Sequence, residues 1–255
     1  MIKKLNKRIT MVIPGPDIKL INNITVAFSK ILKNKLKKSD YSNIGKKIIN
    51  TIIDKNDVDE KMINSPIILT KKEEFISELF EYANEIHKSY LRLELSIKLI
   101  RRIENNKGFK RHELLNYYFE NFINELYIFL ERINSLLDIL IKKTKILGLQ
   151  IQYKNLVKTK QFFLKFFDSQ RKARNYHTHI RRYKDKNYEK LELMELFNSH
   201  IKNKHITNYT NYIYLNTKKD DYNTTKKLLE DVRMVTDKCL WLADTILFKK
   251  IMPKL

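Results

Sequence analysis

From Phe75 onward, apolar residues recur every three or four positions: Phe75, Ile76, Leu79, Phe80, Ala83, Ile86, Tyr90 and Leu91, with the pattern running on through Ile103. That period places them on one face of a helix. Thr70 followed by Glu73 and Glu74 predicts its capped start, with Ser65-Pro66 as a boundary just upstream. Asn105-Asn106-Lys107-Gly108 breaks the pattern. A second long helix is predicted from about His112 to Leu147, striped by Leu115, Phe119, Phe122, Ile123, Leu126, Leu130, Ile133, Leu137 and Ile141, and Gly148 suits the left-handed position beyond its end. A shorter amphipathic segment covers Leu156 to Phe167, and Asp168-Ser169 is predicted to cap a further helix from near Gln170. Glu189 to Asn198 continues or restarts a helix. Lys202 to Asp221 reads as a polar connection holding Tyr209, Tyr212 and Tyr214, and Thr224 to Ile251 as a last helix carrying Leu228, Leu229, Val232, Val235, Leu240, Leu242, Ile246 and Leu247.

Residues 1–70 differ from the rest. They hold three of the four Pro, two of the four Gly, the β-branched run Ile9 to Ile13 and a charged stretch from Asp54 to Lys61. The expectation is an N-terminal extension with a short strand and a helix near Asn23 to Leu36, followed by a helical domain over 71–255. With so few Gly and Pro, turn punctuation is sparse. The predicted fold class is therefore all-α: an antiparallel bundle of long helices, not a many-stranded sandwich or barrel.

One cysteine, Cys239, rules out an intramolecular disulfide and a multi-thiolate zinc site, and its apolar neighbours mark it as a small core residue. The basic start of the chain is followed by an apolar stretch too short for a signal peptide and broken by Pro14-Gly15-Pro16. The most apolar helix, near Leu126 to Ile141, is interrupted by Glu131, Arg132, Asn134 and Asp138, so it does not read as a membrane span. A soluble cytoplasmic protein is expected.

The formal charge of +22 points to an anionic partner. Of the 51 basic residues 40 are Lys, and abundant Lys, Asn, Ile, Tyr and Phe together also follow from an AT-rich coding sequence, so total charge counts only in part. The arginines weigh more, because four of the 11, Arg171, Arg174, Arg181 and Arg182, fall within twelve residues. That stretch also contains Asn175, Tyr176, His177 and His179. Arg offers a permanent, forked donor for phosphate oxygens, and His takes and gives protons near neutral pH. Phosphodiester chemistry is the combination both residue types suit.

Arg174-Asn175-Tyr176-His177-Thr178-His179 reads as R-N-x-x-x-H and resembles the signature of the HEPN superfamily, whose catalytic members are metal-independent RNases on a helical bundle. With 11 Arg, 24 Asn and 6 His, this hexad is expected by chance only about 0.02 to 0.03 times per chain, which gives the match weight. The resemblance covers roughly residues 71–255. It implies a cleft built by a homodimer, in which attack of an RNA 2′-hydroxyl on the adjacent phosphorus leaves a 2′,3′-cyclic phosphate. His179 would serve as general base or acid, Arg174 would hold the phosphate, and Asn175, four residues before His179 on one helix face, would orient the imidazole. Arg174 lies about 140° round an ideal helix from His179 and must reach the cleft by its length. No metal or other cofactor is implied.

Around this core, Arg171, Arg181 and Arg182 are expected to contact backbone phosphates. Tyr176 is a base-stacking or half-buried packing residue. His177 and His179 form H-x-H, but on a helix two residues apart point in different directions, so His177 is assigned to solvent or to an RNA contact and not to a metal. His87, His112, His200 and His205 show no convergent partners in sequence and receive no role. Toxins of this family paired with a nucleotidyltransferase antitoxin often carry Tyr two residues after the motif His; Arg181 stands there, which argues against control by that route. The expected function is a homodimeric endoribonuclease of a toxin–antitoxin, abortive-infection or antiphage defence system, with an antitoxin or other defence partner. The rival is a non-catalytic HEPN-like module that binds RNA or a protein.

Overall fold

The computed structural model describes residues 19–36, 69–103, 110–169, 172, 186–201 and 203–255. These residues form an all-α bundle of six helices: α1 Lys19–Leu36, α2 Lys71–Arg102, α3 Arg111–Ile146, α4 Gln150–Phe166, α5 Lys186–Ile201 and α6 Lys204–Ile246. The chain then tightens through a π-helical turn, Leu247–Ile251, and a short 3₁₀ turn, Met252–Lys254. Among the described residues there is no strand, and no helix is long and apolar enough to cross a membrane. The expected strand near Ile9 to Ile13 and the boundary at Ser65-Pro66 lie outside the described residues.

Helix ends follow local chemistry. At the start of α2, the Glu73 amide donates to Thr70 Oγ1 at 3.3 Å and the Thr70 amide to Glu73 Oε2 at 2.8 Å, a reciprocal capping box. At the end of α3, Gly148 has a φ of +67°, and the amides of Gly148 and Leu149 donate to the carbonyls of Lys145 and Thr144 at 3.1 and 2.9 Å. This six-to-one and five-to-two pattern satisfies carbonyls that a helix end leaves free, and only Gly takes that φ without strain. The chain thus reverses in three residues, laying α4 back against α3.

Two apolar clusters hold the bundle. In the larger, α2 contributes Leu79, Ala83, Ile86 and Leu93, α3 Phe122, Phe129, Ile133 and Leu137, α4 Leu156 and Phe163, and the second half of α6 Val232, Leu240 and Ala243. Helix α1 belongs to this core: Leu20, Ile21 and Ile24 are buried in it, and Asn23 Nδ2 donates to Asp244 Oδ1 at 2.8 Å across to α6. Residues 19–36, read from sequence as part of an extension, are thus tied to the bundle by their own apolar face.

The smaller cluster joins Ile103, Leu115, Tyr188, Leu191, Ile213 and Tyr214. It exists because the stretch from Lys202, expected to be a polar connection, is helical from Lys204 onward. Its buried positions Thr210, Ile213, Tyr214, Thr217 and Asp221 fall at helical spacing, but three of the five are Thr or Asp and so hide the stripe. The threonines are neutralised locally: Thr210 Oγ1 donates to the Ile206 carbonyl at 2.8 Å and Thr217 Oγ1 to that of Ile213 at 3.0 Å. At about 65 Å, the 43-residue α6 spans both clusters.

Cys239 is 2% exposed, as a small core residue should be. Burial pushes its thiol up from 9.0 to about 11, and burial followed by the nearby Glu94 carboxylate pushes the Tyr90 phenol up to about 12. Both groups are held neutral by the fold. Their contribution is complete below the unfolded-chain values and is lost as pH rises through the folded ones, so stability should fall between about pH 9 and 12. Cys239 should also react with iodoacetamide only as fast as the bundle opens. Rapid alkylation of the native protein at neutral pH would contradict that.

Candidate functional site

Arg171, Arg174, Asn175, Tyr176, His177, His179, Arg181 and Arg182 all lie outside the described residues, which resume at Lys186. Both flanks are firmly anchored. On the upstream side Phe163 and Phe167 are each 1% exposed and meet edge to face with centroids 5.1 Å apart. Downstream, Tyr188 is buried at the start of α5 and its hydroxyl donates to Asp221 Oδ2 of α6.

The amides that the expected Asp168-Ser169 cap would serve lie outside the described residues. Both residues are themselves helical, and the Asp168 carboxylate takes the Lys172 ammonium at 2.6 Å one turn on. The break in the helix falls at Phe167, where the turn between Phe166 and Asp168 lies.

What the described residues do bring together is a polar cluster invisible in sequence. The Glu195 carboxylate on α5 accepts from Arg111 Nε at 3.3 Å through one oxygen and meets His112 Nδ1 at 2.8 Å through the other. Arg111 Nη1 donates to Asn211 Oδ1 on α6 at 2.7 Å, and its guanidinium lies 4.6 Å over the Tyr214 ring. The Tyr214 phenol is pushed up by burial, pulled back by Arg111 and pushed up again by Glu195. Its hydroxyl donates to the Ile103 carbonyl at 3.2 Å, which also accepts from Lys218 Nζ at 2.8 Å.

Side-chain exposure is 18% for Arg111, 11% for His112 and 10% for Glu195, so the pairs are largely shielded from water. Glu195 also faces the first turn of α3, where unpaired amides favour a negative charge. Both carboxylate oxygens and two guanidinium nitrogens are engaged. A site for proton transfer or phosphate capture needs a group left open to substrate; here the charges are taken up by one another, and the result is a fastener that seats α5 on α3 and α6. His112, given no role from sequence, therefore has a partner set after all. Its carboxylate partner stands 83 positions away, a separation that no local pattern encodes.

Helix α5 is apolar on two sides. Tyr188 and Leu191 face the core, while Leu193, Leu196, Phe197 and Ile201 are 44–55% exposed on the opposite side. Of the tyrosines placed in the supposed connection, Tyr214 is core, whereas Tyr209 and Tyr212 are exposed and lie nearly parallel with centroids 6.5 Å apart. No family model, curated protein or solved structure matches this chain.

Proposed function

We propose that this protein is a metal-independent endoribonuclease of the HEPN type that works as a homodimer and serves as a toxin or defence effector. The observation carrying this is the hexad Arg174-Asn175-Tyr176-His177-Thr178-His179, in a chain whose described residues are all-α, with three further arginines, Arg171, Arg181 and Arg182, beside it. Support also comes from the setting: the segment joins two helices, α4 and α5, each secured by buried aromatics and polar bonds. Catalytic constellations depend on rigid supports, since small displacements of a reacting group cost rate.

In this scheme the forked Arg174 guanidinium takes two phosphate oxygens and stabilises the charge that builds on them as the 2′-hydroxyl attacks phosphorus. His179 of one subunit takes the hydroxyl proton, and His179 of its partner gives one to the departing 5′ oxygen. Asn175 orients the imidazole. A two-fold dimer supplies the acid and the base from two chemically identical residues in opposite protonation states.

End-labelled RNA incubated with the protein in excess chelator tests the reaction. Cyclic-phosphate ends support the enzyme; a gel shift with intact RNA supports the binding module instead. The dimer is tested by mixing wild-type and His179→Ala subunits. Activity should fall with the fraction of wild-type pairs, and proportionality to wild-type subunits one for one would exclude a composite cleft.

A further inference from the structure

Helix α4 carries cations without acids: Gln150–Phe166 contains Lys154, Lys158, Lys160 and Lys165 and neither Asp nor Glu. Lys160 is held by Asp138 of α3 at 2.5 Å, but Lys154, Lys158 and Lys165 are exposed and make no ion pair among the described residues. The two phenylalanine doublets divide between inside and outside. Phe163 and Phe167 fill the core, while Phe162 and Phe166 are 53% and 38% exposed on the outer side with ring centroids 6.3 Å apart. Phe166 also meets the buried Phe167 edge to face with centroids 4.9 Å apart, so its ring is half packing and half surface, whereas Phe162 is the more exposed of the two and turns its ring to solvent.

The exposed rings and ammonium groups share one face. Lys158 precedes Phe162 by four residues, Lys165 follows it by three and Phe166 by four, so each is a surface neighbour of that ring. Lys154 extends the same face by a further turn. From Lys154 to Lys165 the face runs about 16 Å, room for a few nucleotides.

We infer that the outer face of α4 is a platform for single-stranded RNA, with Phe162 and Phe166 stacking on bases and Lys154, Lys158 and Lys165 holding the backbone. Aromatic faces beside cations are how unpaired strands are gripped without sequence preference. Charge complementarity selects the occupant: the rings stand beside three ammonium groups on a helix that carries no acid, which suits a strand whose every nucleotide brings both a base to stack and a phosphate to neutralise. The choice of RNA over other single strands rests on the proposed function, because the chain passes from the end of α4 at Phe166 directly on to Arg171 and the hexad.

The test uses the full chain and a fluorescent 2′-O-methyl oligouridylate of roughly 20 nucleotides, which cannot undergo 2′-hydroxyl attack, so binding is read apart from cleavage. Phe162→Ala with Phe166→Ala should weaken binding by about tenfold per ring. Lys154→Ala, Lys158→Ala and Lys165→Ala together should flatten the salt dependence of log K by about two units, at about 0.7 per phosphate released. Lys158→Glu is the second variant, at a solvent position where folding is not at stake, and should weaken binding as well. Unchanged affinity in the ring and lysine variants overturns the platform, as does absence of binding by the wild-type chain. Ring-dependent binding to phosphatidylserine vesicles without binding to the oligonucleotide also overturns it, in favour of a membrane face. If the oligonucleotide binds through α4 while labelled RNA stays intact, the platform stands and the nuclease reading falls.

Discussion

His179→Ala is expected to lower RNA cleavage by about 10² to 10⁴ while leaving the helical content, melting temperature and RNA affinity near those of the wild type. A proton-transfer group acts in the transition state, so its loss appears in turnover more than in binding. Arg174→Lys should also be severely impaired, since an ammonium keeps the charge but cannot present two parallel donors to a phosphate. Full activity of purified His179→Ala would end the catalytic assignment of this residue, and would make His177 the next imidazole to replace. The cleavage comparison should be made in chelator, with the cyclic-phosphate product as the readout, so that a contaminating metal-dependent nuclease does not supply the signal.

The largest loss of stability outside the apolar core is expected at Glu195. Replacing it by Ala leaves the shielded Arg111 guanidinium without its carboxylate and His112 Nδ1 without its partner, and breaking a buried charge pair from one side costs about 3–5 kcal/mol. Some of that cost is recovered by water, because Arg111 retains 18% side-chain exposure. Urea unfolding should show the loss as a lower midpoint. Glu195→Gln should lose less, as an amide oxygen still accepts a hydrogen bond. A double-mutant cycle with His112→Ala should give a coupling well above the scatter of independent sites; additivity within about 0.5 kcal/mol would show that the contact has no energetic weight. Because Glu195 lies on the helix that follows the hexad, a coupled loss of cleavage with retained fold in Glu195→Gln would tie the seating of α5 to activity.

Much of the bundle is readable along the chain. The long stripes from Phe75 and from Leu115 are dense in Leu, Ile and Phe, and the Thr70–Glu73 box and Gly148 mark ends by chemistry that acts within four residues. The first half of α6 is not readable, because Thr210, Thr217 and Thr225 count as polar in any hydropathy pattern and become core residues only when their hydroxyls bond back to the preceding turn. Asp168 is a second position where local chemistry has two outlets. Asp also pairs with a Lys one turn ahead inside a helix, and Lys172 stands there.

Residue types and spacings of a few positions were enough for the helical class, the ends of α2 and α3, the burial of Cys239 and the presence of a chemically pointed hexad. Three-dimensional packing alone settled that α1 belongs to the main core, that Glu195 meets Arg111 and His112, and that Phe162 and Phe166 stay outside while Phe163 and Phe167 go in. Those outcomes turn on which faces meet after the chain reverses. Contacts such as His112 to Glu195 and Asn23 to Asp244, 83 and 221 positions apart, leave no periodic trace in the residues that make them.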